Sequence, residues 1–526
     1  MELIKAFSDE YMEYLRDESR TVGYANSISF PKTEEDIVSI LKYLHQNNTP
    51  VTVQGSRTGL VAAAVPFGGH ILNISKMDKI LGCRKEGDNF YLTTQPGVVL
   101  MELNKKINSK KLDTACWSEP SLEAFNSFLA APPMFFTPDP TESTATLGGM
   151  VACNASGARS FMYGATRNHI TALRIALADG RILNLNRGQT FANGRTLTIT
   201  TQNGDDITLN LPKYIMPNTK NASGYFVKNN MDAIDLFIGS DGTLGVITEL
   251  EIALTPLPPQ IWGISCFFET EAMAIKFVQL VRHKIEGVAA MEYFDQNSLN
   301  LLRTQKESGT AFAQLPDIPF HYNCCVYIEL HALTEESIEE KMFEVGKKME
   351  LAQGNLENTW VARNENDVNR LHFFRHAVPE SANMIIDQRK KLDPMITKLG
   401  ADMSVPDQYL EEVFKLYRNG LAENNLQSAT WGHIGNNHLH VNILPIDIED
   451  YKTGKTLYGI WADEITMMGG AVSAEHGVGK LKAYFLEVMY GSESIKQMCS
   501  LKYQLDPKWL LGEGNLFTPT KGGKSE

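Results

Sequence analysis

Residues 144–164, TATLGGMVACNASGARSFMYG, constrain this chain more than any other stretch. Gly148, Gly149 and Gly157 lack Cβ, so the backbone can take positive φ there and let a ligand approach its N–H groups. Ala152, Asn154, Ala155 and Ser156 between them add little bulk. In a chain with 43% hydrophobic residues, such a run is a place where something else supplies the volume. A close-packed turn between core elements reads equally from this stretch by itself.

Two further stretches shift that balance. VQGSRTGLV (53–61) follows a short β-type run, Pro50 to Val53, and GSDGTLGVIT (239–248) follows the apolar run from Ile234 to Ile238. Three glycine loops, each beside a strand-like segment, suggest one extended ligand wrapped by several loops. None carries the Gly-Lys-Ser/Thr of a P-loop, and none is a strand–GxGxxG–helix unit with an acidic residue beyond it. A nucleotide cofactor is expected, on neither of those folds.

With 526 residues the chain exceeds what one hydrophobic core supports, so two domains are expected. A helix is predicted over 32–48, where Ile37, Ile40, Leu41 and Leu44 recur with helical period behind Thr33. Strands are predicted at 71–74, 90–94, 173–177, 197–201 and 246–254, with hairpin turns at 178–180 and 203–206. TPLPP (255–259) marks a boundary. Beyond it, strands at 261–268 and 324–330 and helices at 272–283 and 335–352 fit a cap with helices on one face of a sheet. The class is α+β, divided into 1–258, 259–505 and a C-terminal return over 506–526, whose tail KGGKSE reads as frayed.

The net charge of −13 and the lack of a basic stripe make nucleic acid a poor partner, and none is expected. Seven cysteines without a CxxC suit reduced cytosolic thiols, and argue against a disulfide framework or an iron–sulfur cluster. No secretory signal and no transmembrane segment is expected, which leaves a cytoplasmic protein, with peripheral docking at the inner face of the membrane also open.

A second constellation is GHIGNNHLHVN (432–442). His433 and His440 are seven apart and would face opposite ways on one straight strand. The Gly435-Asn436-Asn437 turn can fold the strand back and join them, and Glu475-His476 in SAEHGVGK adds a carboxylate and an imidazole. Two histidines and a glutamate with open positions suit a divalent metal, zinc or manganese. Five of the 12 histidines (376, 433, 438, 440, 476) fall in three short stretches, which favours ligation.

These pieces resemble the flavoproteins of the vanillyl-alcohol oxidase / p-cresol methylhydroxylase superfamily. The branch is that of D-lactate dehydrogenase, the glycolate oxidase FAD subunit and D-2-hydroxyglutarate dehydrogenase. QGSRTG, PGV (96–98), TLGGMVACNASG, YG (163–164), LADGRIL (177–183), GSDGTLGVIT, GHIGNNHLHVN, SAEHGVGK and GNLF (514–517) occur in the family's order, from about Phe30 to the C-terminus.

The resemblance implies an N-terminal FAD domain of the p-cresol methylhydroxylase type, a substrate cap of the FAD-linked oxidase C-terminal type, and a return to the flavin. It assigns FAD to Gln54, Gly55, Ser56, Arg57, Thr58 and Gly59; to Pro138, Thr144, Thr146, Leu147, Gly148 and Gly149; to Asn154, Ala155, Ser156, Gly157, Tyr163 and Gly164; and to Gly242, Gly245, Val246, Ile247 and Asn515. With no histidine in 54–61 or 138–164, FAD is expected to bind non-covalently.

His433, His440 and Glu475 match the family's metal ligands, His476 its general base and Arg375 its carboxylate-gripping arginine. The alternative is that His476 only orients Glu475. Lys398 is a candidate second cation. His438 departs from the family's Gly-Asp-Gly-Asn-Leu-His pattern, as Arg57 does within the first loop.

The implied activity is oxidation of a D-2-hydroxy acid, D-lactate ahead of glycolate and D-2-hydroxyglutarate, to the 2-oxo acid by hydride transfer to flavin. Quinone, a cytochrome, an electron-transfer flavoprotein or oxygen would reoxidise it, and the residues do not choose among these or decide for a homodimer. The rivals are a metal-free flavin oxidase of a bulkier alcohol, a flavin-binding subunit inactive without partner chains, and a metal hydrolase.

Overall fold

The computed structural model describes residues 3–308, 311–391 and 393–517, so the tail KGGKSE lies outside the described residues. Helix Glu34–Gln46 buries Ile37, Ile40, Leu41 and Leu44, and Thr33 closes a capping box with Asp36. Strands Ser27–Ser29 and Val51–Gln54 run parallel to His70–Asn73 on either side of it, and the first glycine loop leaves the end of Val51–Gln54.

A second sheet is antiparallel, in the order Ile80–Glu86, Asn89–Thr94, Val246–Ala253, Ile170–Ala176, Ile182–Asn186. Its central strand, Val246–Ala253, alternates buried and half-buried residues and continues directly from the third glycine loop. The middle loop feeds helix Leu147–Cys153, whose N-cap Thr146 accepts from the N–H of Gly149. The run from Ile234 to Ile238 is not strand-like: Ile234–Phe237 is a helical turn with Ile234, Leu236 and Phe237 buried. A short apolar run buried on all sides carries no period that separates helix from strand.

Thr255–Pro256 pairs with Met134–Phe135 and closes this half. From Gln260 the chain builds an antiparallel sheet of eight strands, among them Gln260–Phe268, Cys324–Ala332, Val288–Phe294, Ser428–His433 and His438–Ile443. Helices cover both of its faces, correcting the one-faced cap expected from sequence. Ile264, Cys266, Val326 and Ile328 pack with helices Glu271–Val281, Glu335–Leu351, Leu410–Glu423 and Ile448–Met467. Phe267, Phe294, Cys325 and Tyr327 pack on the opposite side with helices Gln296–Glu307 and Glu365–Lys390. Two covered faces explain why all nine residues of Cys324–Ala332 are buried.

The last helix, Ala483–Leu505, returns to the first half, where Leu486, Met498, Leu501 and Leu505 join its core. Lys502 is buried there with Asp506 at 2.8 Å, and its Nζ also donates to the carbonyls of Thr243 and Leu511. This ion pair fastens the returning helix to the third glycine loop. Lys502→Met leaves the Asp506 carboxylate buried without its cation, at an expected cost of about 3–5 kcal/mol. Denaturant unfolding of the variant should show that loss, and Lys502→Met with Asp506→Leu should recover most of it. A loss below about 1 kcal/mol, typical of exposed pairs, contradicts this account.

Candidate active site

The three glycine loops converge on one cleft. Its walls include Gly55, Ser56, Arg57, Thr58 and Gly59, then Thr146, Gly148, Gly149, Ala155 and Ser156, then Gly242, Gly245 and Ile247, with Glu475 and His476 at one end. Glycine serves two purposes here. A Cβ on Gly55 would stand 2.1 Å from Thr146 Oγ1, so this position lets two loops touch. A Cβ on Gly59 would meet nothing closer than 3.9 Å, so that position leaves the cleft open.

Other residues assigned to FAD from sequence brace the cleft rather than line it. Gln54 is buried and donates to the carbonyls of Tyr14 and Ala64, while Asn515 fastens Ala63 and Asp241 and accepts from Lys480. Leu147 and Val246 are core residues, Thr144 bonds the exposed Glu142, and Asn154 caps its helix with φ +51°. Pro138 is buried ahead of Asp139, and Gly157 packs so closely that a Cβ would lie 2.0 Å from the Asp139 carbonyl. Gly164 turns the chain at φ +80°, and Tyr163 gives its hydroxyl to His331 of the cap at 2.7 Å. Arg57 pairs with Glu13 and lies over the Tyr14 ring, so the N-terminal segment occupies it. Ala63, Cys153 and Asp241 line the cleft and were not singled out, although the Ala62-Ala63-Ala64 run directly after the first loop was a legible sign.

The histidine motif folds as expected. Strands Ser428–His433 and His438–Ile443 form a hairpin around Ile434–Asn436, with Asn437 left-handed at φ +49°. Arg282 holds this turn through the Ile434 carbonyl and Asn437 Oδ1. His433 pairs across the hairpin with His438, and cross-strand partners share a face, as do residues two apart. His433, His438 and His440 therefore point the same way, with ring centroids 4.4–5.3 Å apart. His376 is exposed on its helix and takes no part.

Glu475 meets this face, with Oε2 at 3.0 Å from His433 Nε2 and 3.5 Å from His438 Nδ1. Burial works to raise its pKa, but Lys220 and His433 hold it well below the usual range. Lys220, which the sequence reading missed, donates to the same oxygen at 3.0 Å. Burial pushes His438 down to about 4 and keeps His440 well below its ordinary value, so both rings are neutral. His476 lies parallel to His440, centroids 5.4 Å apart, where burial depresses it against the pull of Asp402.

Arg375 reaches the cluster indirectly. Its Nε is 3.3 Å from Glu292 Oε2, and the other Glu292 oxygen bonds His433 Nδ1 at 2.6 Å. Lys398 sits apart, donating to Asn383 and lying over Trp431, with burial pushing it down to about 8. Nothing in the local sequence distinguishes Glu292, Asp402 or Lys220 from ordinary charged residues; only the fold brings them here.

The two halves are joined beside this site by buried Glu329, which bonds Arg159 at 2.7 Å, His331 at 2.9 Å and His372 at 3.0 Å. Among the described residues, no helix is long and apolar enough to cross a membrane.

Residues 25–117 and 121–186 match the FAD binding domain, and residues 257–516 match the C-terminal domain of the FAD linked oxidases. The chain is 26% identical over 524 residues to a D-lactate dehydrogenase of Anaerostipes hadrus, covering 96% of this chain and 92% of that protein. It is 25% identical over 500 residues to the glycolate oxidase subunit GlcD of Bacillus subtilis (strain 168), covering 94% of this chain and 89% of the relative. Its fold matches p-cresol methylhydroxylase with a TM-score of 0.66 at 16% identity, over 98% of this chain and 94% of the other.

Burial works to raise the pKa of Glu329, yet Arg159 and the two histidines hold it well below the carboxylate range. Its stabilising contribution is in force above the unfolded value and disappears only as pH falls through the depressed folded value. Arg159→Met removes the main counter-charge, so the carboxyl should take up its proton at higher pH. Arg159→Met should therefore melt below the parent at about pH 7 and regain part of that loss by about pH 5, because its folded carboxyl then binds a proton that the unfolded chain does not, while the melting temperature of the parent stays level. Parallel profiles contradict this role.

Proposed function

Because the chain belongs to the FAD-linked oxidases, with an FAD binding domain followed by that family's C-terminal domain, we propose that it is an FAD-dependent dehydrogenase oxidising a D-2-hydroxy acid to the 2-oxo acid. D-lactate stands first among substrates, with glycolate and D-2-hydroxyglutarate behind it. The observation that carries this reading is the position of Glu475 and His476, which line the FAD cleft and also touch the buried histidine cluster.

The residues fit both groups the reaction requires. The cleft keeps open space in front of Gly59, and backbone from all three glycine loops faces it. FAD held there non-covalently would supply a hydride acceptor for the substrate's α-carbon. His433, His440 and Glu475 each bring an imidazole nitrogen or a carboxylate oxygen within 4.8 Å of the others, a donor set that suits a divalent ion. A zinc or manganese ion held there would polarise the substrate's hydroxyl and carboxylate and lower the hydroxyl's pKa.

The chain does the rest. His476, neutral because burial depresses it, takes the hydroxyl proton. Arg375, fixed through Nε by Glu292, supplies a permanent positive charge for the carboxylate. Lys220 steadies Glu475 from the FAD-domain side. Electrons then pass to a quinone, a cytochrome or an electron-transfer flavoprotein, and the seven free cysteines suit a cytoplasmic setting.

Anaerobic titration of the flavin-loaded protein with D-lactate, L-lactate, glycolate and D-2-hydroxyglutarate tests the assignment. One D-acid should bleach the flavin band, and prior chelation should abolish the bleaching. A yellow protein that no hydroxy acid bleaches contradicts the proposed substrate class.

A further inference from the structure

The three hairpin imidazoles share one pattern. His433 sets Nδ1 on Glu292 at 2.6 Å and turns Nε2 toward Glu475. His440 sets Nδ1 on the Ala401 carbonyl at 3.4 Å. His438 sets Nε2 at 2.9 Å from Asp402 Oδ1 and turns Nδ1 toward Glu475. One ring nitrogen held by a carboxylate or carbonyl, with the other converging on a shared point, is how metal-ligating histidines are oriented.

His433, His438, His440 and Glu475 each bring a donor atom within 4.8 Å of the others. His438 is fully buried, and its Nδ1, the nitrogen turned toward Glu475, has no hydrogen-bond partner among the described residues. A ring so placed is costly unless something binds it. The alternative group of Asp402, His440 and His476 lies equally close. However, both Asp402 oxygens already accept from the N–H groups of Glu475 and His476, from Ser473 and from Lys482.

We infer that His438 is a further metal ligand, so that three imidazoles and one carboxylate surround the ion. This rests on the metal-assisted dehydrogenase proposed for the same site. It narrows the choice of metal. A tetrahedral ion, the habit of zinc, would be saturated by these four donors and closed to substrate. A six-coordinate ion keeps two positions, matching the two oxygens a 2-hydroxy acid offers, its α-hydroxyl and its carboxylate. The working ion is then manganese(II) or another six-coordinate divalent metal of the imidazole-binding series, and zinc binds but blocks. Lys220 shares Glu475 Oε2 with the ion or yields it.

The test loads the FAD-containing, metal-stripped protein with cobalt(II) or manganese(II) and reads the metal directly. X-ray absorption of the cobalt form should count three imidazoles and six ligands in the parent, and two imidazoles in His438→Asn. Manganese(II) titration followed by electron paramagnetic resonance should show affinity falling at least about tenfold in His438→Asn, with flavin content unchanged. Two imidazoles in the parent, or unchanged affinity in the variant, overturns the inference without touching the dehydrogenase reading. A parent that takes up neither metal overturns the metal reading and this inference together. The parent's imidazole count stands even where the variant does not fold.

Discussion

A fully buried carboxylate, Asp402, holds the site together. Oδ1 accepts from the N–H of Glu475 at 3.1 Å and faces His438, and Oδ2 accepts from Ser473, the N–H of His476 and Lys482 at 2.6–3.0 Å. Burial alone would force a proton onto such a group, but the Lys482 ammonium and the hydrogen bonds it accepts hold it ionised, well below the ordinary range. The result is a fixed negative charge clamping the SAEHG turn against the cap sheet. Its neighbours Leu399–Gly400 and Met403–Ser404 both pair with His438–Ile443, so the clamp and the histidine hairpin belong to one rigid element. Glu475 and His476 are thereby held at their backbone N–H groups as well as through their side chains.

The chain uses the same device elsewhere. Glu292 ties Arg375 to His433, Glu329 ties Arg159 to the cap, and Asp241 accepts the N–H groups of Val478 and Gly479. Each is a buried carboxylate joining one half of the chain to another or one functional side chain to its support. Such a group loses hydration on burial and is tolerated only when its partners are in place. The arrangement therefore makes the site and the docking of the two halves interdependent: disturbing one carboxylate strands charges on both sides of the cleft.

Much of this was legible in the sequence, for physical reasons. Period and capping gave helix Glu34–Gln46, and alternation or apolar runs gave Gln260–Phe268 and Val246–Ala253 to within two residues. The Gly435-Asn436-Asn437 turn fixed the hairpin, and with it the shared face of His433 and His440. What failed had no local signal. The run from Ile234 to Ile238 is buried on all sides and carries no period, and the second helical layer of the cap is visible only once both sheet faces are seen to be apolar. Asp402, Glu292 and Lys220 are single charged residues far in sequence from what they touch. Glycine loops mark where backbone comes close without saying whether to ligand or to protein, so Gly157 was assigned to the cofactor although it packs on Asp139.

The central claim is that the FAD cleft and the histidine cluster form a single site, in which the α-hydrogen of a hydroxy acid leaves as hydride while His476 takes the hydroxyl proton. Stopped-flow reduction of the metal-loaded protein under anaerobic conditions, with D-lactate carrying hydrogen or deuterium at C2, tests it most directly. The account predicts flavin reduction slowed several-fold by deuterium, and slowed further in His476→Gln with the isotope effect retained. Reduction with no isotope effect, or equally fast in the metal-free protein, would contradict it.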